Sequence, residues 1–355
     1  MKMTWGYNQR HIKQTLSAWC DVPTLVYMTV AIFPCFIVAC ITGDHHYLQL
    51  GLVSGALFCV QNSLGLSGLL ETCLHWLAII LGFTVLYWVQ NSPLLFALFS
   101  ALLGAICASF AYWDQNLKSL GNWILIPALY LSCELYDRVT PHAFTLAYIK
   151  LLEQLPVTLI GPILVLVFLN MAKKPKNRTY ALIGRDHPYI VQKQPAVIYS
   201  VLSIFCAIFM TAAFVKYFAI EQGQWVIWSS VSVITGELSS MHKKFKHRGR
   251  GAVLGLSLGG GGVYLSSFIG SATLLSSFAA FLIPLTLVIK PYPVAFTLRC
   301  MLIAIAAGSM THTESIALVR MFDVVLGGAI GVISVYVVTY FISPVFKIKR
   351  EKEEY

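Results

Sequence analysis

Runs of about twenty apolar residues follow one another almost end to end from Thr24 to Ser343, interrupted only by short polar turns. A helix needs about 20 mostly apolar residues to cross the hydrocarbon core of a bilayer, where no water is available to satisfy the backbone. Water is therefore not the main solvent of this chain. Composition agrees, with 57% hydrophobic residues, 11% charged residues and a mean hydropathy of +0.73, against about 25% charge in a soluble domain. The fold class this predicts is all-α, a polytopic membrane protein of about 12 transmembrane helices.

Apolar runs read against polar breaks place six spans near 24–43, 47–65, 72–89, 93–113, 121–136 and 150–171, and six more near 196–218, 224–240, 250–268, 271–289, 293–310 and 317–343. The domains expected are an N-terminal segment over 1–23, a first six-helix repeat over 24–171, a polar linker over 172–195, a second repeat over 196–343 and a charged tail over 344–355. An even number of spans in each half gives both the same orientation, hence two parallel repeats about an axis along the membrane normal. The first span is too long for a signal-peptide core and lacks a convincing cleavage site, so it is expected to stay in the mature protein.

The net charge of +10 raises the question of nucleic acid. The Lys and Arg residues answer it by their positions: Lys2, Arg10 and Lys13, the stretch Lys173 to Lys193, the stretch Lys243 to Arg250, and the tail from Lys347. Clusters flanking apolar spans are what the positive-inside rule produces, and no nucleic-acid partner is implied. With the N-terminus cytoplasmic, the Lys243 to Arg250 loop, the linker, Lys118, Lys290 and the tail fall on the same side, so that 20 of the 25 Lys and Arg lie inside. The expectation is a multi-pass inner-membrane protein with both termini cytoplasmic. Nine cysteines are scattered through apolar spans without a CxxC pair and read as small buried hydrophobes.

The most specific pattern lies in the second half. Trp225-Val-Ile-Trp228 opens a span, a basic stretch follows, and then comes Arg250-Gly-Ala-Val-Leu-Gly255; later Arg320-Met-Phe-Asp323 leads into Gly327-Gly-Ala-Ile-Gly331. With six spans per half, this order of a tryptophan-led span, an "R…G…G" helix and a closing "R…D…GG" helix resembles the fusaric acid resistance or aromatic acid exporter (FUSC) family. The resemblance is carried by about 196–343 and implies export of small aromatic or carboxylated compounds.

Gly251, Gly255 and Gly259 recur every four residues on one helical face, as do Gly327 and Gly331, and let a neighbouring backbone approach closely. Arg250, Gly251, Gly255, Arg320, Gly327 and Gly331 thus form a structural motif. The run Gly259 to Gly262 has a second reading, a helix that unwinds and offers backbone groups of Gly259 and Gly260 to a substrate.

A charge at membrane depth costs at least about 2.5–3.5 kcal/mol, which makes each one a functional candidate. Arg299, eight residues beyond Pro291, lies about 12 Å into the bilayer at 1.5 Å per residue; it suits a substrate carboxylate or a salt bridge to Asp323 or Glu237. Trp225 and Trp228 suit either an aromatic substrate or an interfacial belt. Glu237, Asp323, Glu134 and Glu153 are proton-coupling candidates, with an Arg320–Asp323 pair and interfacial snorkelling as the structural readings of Asp323 and of the two outer glutamates. Glu71 and His75, four apart, are expected to form a hydrogen-bonded pair. His45-His46 and His312 with Glu314 lack the fixed geometry of a metal site.

No GxxxxGK[ST], HExxH or GxSxG pattern occurs, so neither ATP hydrolysis nor enzymatic catalysis is expected and no cofactor or metal is implied. The reading is a secondary transporter, proton-coupled, with a small-molecule substrate and membrane lipid as partners. A homo-oligomer and a periplasmic adaptor protein stay open as further partners. A membrane-embedded enzyme acting on lipid or envelope intermediates, and a non-transporting scaffold subunit, are the alternatives.

Overall fold

The computed structural model describes residues 19–61, 63–113, 118–172, 195–234, 238–269, 272–311 and 315–353. Lys2, Arg10 and Lys13, the linker from Lys173 to Lys193, Glu237, and the pair His312 and Glu314 lie outside the described residues.

Thirteen α-helices cover most of the described chain: α1 (Val22–Thr42), α2 (His46–Cys59), α3 (Gly65–Trp88), α4 (Pro93–Trp113), α5 (Lys118–Arg138), α6 (Phe144–Gln154), α7 (Val157–Met171), α8 (Pro195–Tyr217), α9 (Gln224–Val233), α10 (Leu238–Ile269), α11 (Ala272–Leu285), α12 (Tyr292–Thr311) and α13 (Ser315–Glu353). The one β feature among the described residues is an antiparallel bridge between Cys20 and Ile289.

Among the described residues, six stretches are long and apolar enough to cross a membrane: Val22–Thr42, Gly65–Trp88, Pro93–Phe110, Phe144–Met171, Ile198–Tyr217 and Leu318–Phe341. Three shorter apolar helices, His46–Cys59, Thr273–Val288 and Tyr292–Gly308, accompany them. Outward stripes show what surrounds these helices. Val22, Val26, Phe33, Ile37 and Ile41 are exposed along α1, as are Phe322, Val325, Ile333 and Val337 along α13. Contiguous apolar faces of this kind are unstable in water and are solvated by lipid chains. The protein is an all-helical membrane protein.

Local chemistry moved three boundaries. The span expected over 150–171 starts at Phe144 and is interrupted at Leu155–Pro156, because Pro156 offers no N–H to the preceding turn. The span expected over 224–240 is the ten-residue α9, only about 15 Å long; it stops where Ile234 turns extended at ψ 114°. The expected loop from Lys243 to Arg250 is helical, forming early turns of the 32-residue α10. Lys and Arg are good helix formers, and Met241, Phe245 and Arg248 give this segment an inward side at i, i+4 and i+7.

The helices divide into two compact units, each built from three chain segments. One comprises Met1–Cys73, Leu152–Arg185 and Arg250–Leu318, the other Leu74–Leu151, Asp186–Gly249 and Val319–Tyr355. In the first, α1 packs on α2 and α7 around Met28, Ala31, Ile32, Phe58, Val165 and Leu169. The Ser54 hydroxyl lies 2.6 Å from the Ala31 carbonyl oxygen and 2.9 Å from that of Thr158, donating to both from the middle of this core. In the second, α4 lies along α8, and α5 and α9 close a core of Leu86, Phe96, Ile124, Leu129, Ile208 and Ile227.

Candidate functional site

A cluster of buried polar groups in the second unit lies where α9 begins. The turn before α9 holds Ala219 and Gln222 at φ 49° and 54°, left-handed values that cost a residue with a Cβ about 1 kcal/mol or more. Gln222 is held there from two sides: its backbone N–H donates to the Asp137 carboxylate, and its side-chain Oε1 accepts from Arg320 Nη2.

Arg320 approaches from α13. Its guanidinium stands 4.1 Å from the centroid of the Trp225 ring, a cation–π arrangement strongest when shielded from water, and Arg320 is buried. Trp225 stacks almost parallel on Trp228, with centroids 5.2 Å apart and planes at 17°, and meets the edge of Tyr130 at 6.3 Å. Trp225 Nε1 is buried without a hydrogen-bond acceptor among the described residues.

One turn beyond Arg320, Asp323 is fully buried, and neither carboxylate oxygen has a hydrogen-bond partner among the described residues. The expected ion pair with Arg320 is not made: the guanidinium is turned to Gln222 and Trp225 and acts on Asp323 only through space. An ionised carboxylate without a donor is among the costliest groups a protein interior can hold.

Small residues explain why these groups meet. A Cβ at Gly327 would lie 2.2 Å from the Val226 carbonyl oxygen, and one at Gly331 would lie 2.3 Å from that of Ser230. Only glycine lets α13 run against the backbone of α9. Asp323, Gly327 and Gly331 are spaced by four on one helical face, so the same contact carries Asp323 to the start of α9.

The other glutamate candidates are placed differently. Glu134 forms an ion pair with Arg138 and accepts from Gln224 Nε2 at 3.4 Å. Glu153 is exposed on α6. Glu71 accepts from Ser63, and His75 is bonded instead to the Trp123 carbonyl oxygen at 3.1 Å, so the expected Glu71–His75 pair does not form.

Arg299 belongs to the first unit, half-buried on α12, with Nε donating to Thr286 Oγ1 at 3.0 Å. The glycine run does not unwind. Gly259 and Gly260 sit within continuous α10, and a Cβ at Gly259 would come within 2.7 Å of the Met301 carbonyl oxygen. Gly251 and Gly255 face Phe296 and Thr297 of α12 in the same way, while Arg250 is exposed.

Three contributors were missed in the sequence. Tyr130 and Gln222 carry no pattern of their own. Arg248, expected in a loop, is buried on α10, with Nη2 donating to Ser229 Oγ at 3.1 Å. A buried-side period through Met241, Phe245 and Arg248 was the available signal.

In comparison with known proteins, residues 190–334 match the family described as fusaric acid resistance protein-like. No curated protein and no solved structure matches the chain.

Proposed function

We propose, on the match of residues 190–334 to the fusaric acid resistance protein-like family, that this chain is a secondary transporter exporting small aromatic or carboxylated compounds in exchange for protons. The proposal includes about twelve crossings arranged as two parallel six-helix repeats, an inner-membrane location and cytoplasmic termini. The distribution of Lys and Arg supports that orientation.

One observation carries the reading, the buried and unbonded carboxylate of Asp323 beside Arg320 and Trp225. A carboxylate in this setting is driven to take up a proton or to gain a partner when the site opens. Arg320 supplies a planar fork of donors suited to a substrate carboxylate, and Trp225 with Trp228 and Tyr130 supplies aromatic faces. In the proposed cycle a substrate anion replaces Gln222 as the partner of Arg320. Asp323 takes up a proton on the outer side and releases it on the inner side, linking substrate exit to proton entry.

Proteoliposomes holding the purified chain test this with a labelled hydroxybenzoate and an imposed proton gradient. Gradient-driven flux well above that of empty vesicles is expected. Asp323→Asn should abolish the response to the gradient while leaving substrate exchange at equilibrium. Flux equal to that of empty vesicles, or an unaltered gradient response in Asp323→Asn, sinks the proposal.

A further inference from the structure

The first turns of α10 have two unlike sides. Met241 is buried, the Phe245 ring lies beneath Gly328 of α13, where a Cβ would come within 2.6 Å of it, and Arg248 is bonded to Ser229. These contacts fix the rotation of the helix. His242, Lys243 and Lys246 then face outward and are exposed.

Lys243 and Lys246 are three apart, so their side chains leave the helix as neighbours. Two ammonium groups so placed repel each other and stabilise the helix only when an anion lies between them. Beside them, the Tyr336 hydroxyl is 3.2 Å from His242 Nε2. Tyr336, Tyr340 and Phe341 are exposed at the end of the apolar stretch Leu318–Phe341. Exposed aromatic residues at the end of a span mark the depth of lipid headgroups. The lysine pair thus lies at headgroup depth on a lipid-facing surface.

We infer that Lys243 and Lys246, flanked by Tyr336, bind the phosphate of an anionic phospholipid headgroup. The two ammonium groups donate to non-bridging phosphate oxygens, the lysine stems cover apolar surface, and the Tyr336 ring packs at the glycerol level. A zwitterionic headgroup brings its own cation and gains little from the pair. This assignment stands apart from the transport reading, since lipid binding needs neither a substrate nor a proton gradient.

The test uses the purified, delipidated full chain in neutral detergent, titrated with fluorescent phosphatidylglycerol and, separately, phosphatidylcholine. Each lysine near an anionic surface contributes about fivefold, so phosphatidylglycerol is expected to bind about thirtyfold more tightly. The double substitution Lys243→Gln and Lys246→Gln should bring the two lipids within about threefold of each other. Lys150→Gln, at an exposed lysine of α6, should leave the preference intact. Both lysines of the pair are exposed, so the double variant should keep the melting temperature of the parent; Lys246→Gln alone should lose about fivefold in any case. Equal affinity for the two lipids overturns the inference, as does a preference indifferent to the double substitution. Displacement of phosphatidylglycerol by an equal concentration of inorganic phosphate also overturns it, because the site would then serve a free anion.

Discussion

Arg320 of α13 and Trp225 of α9 meet face to face, with the guanidinium carbon 4.1 Å from the ring centroid and the same guanidinium donating to Gln222. An aromatic face and a neutral amide are thus two of the groups that hold this charge. Both contacts turn the guanidinium toward the start of α9.

Arg320→Lys should keep the charge but lose the fork and the stacking. A cation–π contact shielded from water is worth about 1–2 kcal/mol, so the KM for a hydroxybenzoate should rise about tenfold. Trp225→Leu should produce a similar rise, and the double variant should show less than the product of the two. An unchanged KM in both single variants would separate this cluster from the substrate.

Asp323→Asn replaces a buried carboxyl group that has no donor among the described residues and keeps the shape of the side chain. Its thermal midpoint should equal or exceed that of the parent, since the folded state no longer carries an uncompensated carboxylate. Loss of about 2 kcal/mol or more in a denaturation titration would mean that the carboxylate is anchoring the fold.

Gly331→Ala should destabilise by about 1–3 kcal/mol, because its Cβ would stand 2.3 Å from a carbonyl oxygen of α9 and backbone cannot step aside as a side chain can. Gly261→Ala is the contrast. That glycine is exposed within α10 and has nothing within 4 Å of an added Cβ, so the substitution should gain up to about 1 kcal/mol of helix propensity. Melting temperatures of the two variants in one detergent decide the matter.

Ser54→Ala should cost about 1 kcal/mol, since the buried hydroxyl serves carbonyl oxygens of both α1 and α7. A loss much smaller than this in denaturant would show that those carbonyls are satisfied within their own helices.

The residues that proved legible in advance are those whose role follows from spacing along one helix. Gly327 and Gly331 read as a packing face, and each does lie against a backbone carbonyl. Gly255 and Gly259 do the same against α12, while Gly251 meets the side chains of Phe296 and Thr297. Arg320 and Asp323 were legible as charges within an apolar helix, but their partners were not. Arg320 was expected to pair with Asp323 and instead engages Gln222 and Trp225, because a guanidinium is free to choose among contacts supplied by other helices.

Hydropathy period and charge position, both local properties of the chain, determined on their own that the protein is helical, that lipid surrounds it and which helix faces carry small residues. Only the tertiary structure decided that α9 stops after ten residues, that the Lys243 to Arg250 stretch is helical with Arg248 turned inward, and that segments from both sides of the 172–195 linker assort into the same compact unit. The physical reason is that an apolar run specifies burial in lipid or protein without distinguishing them. Which buried polar group meets which depends on contacts between helices distant in sequence, and those contacts leave no periodic trace in the chain.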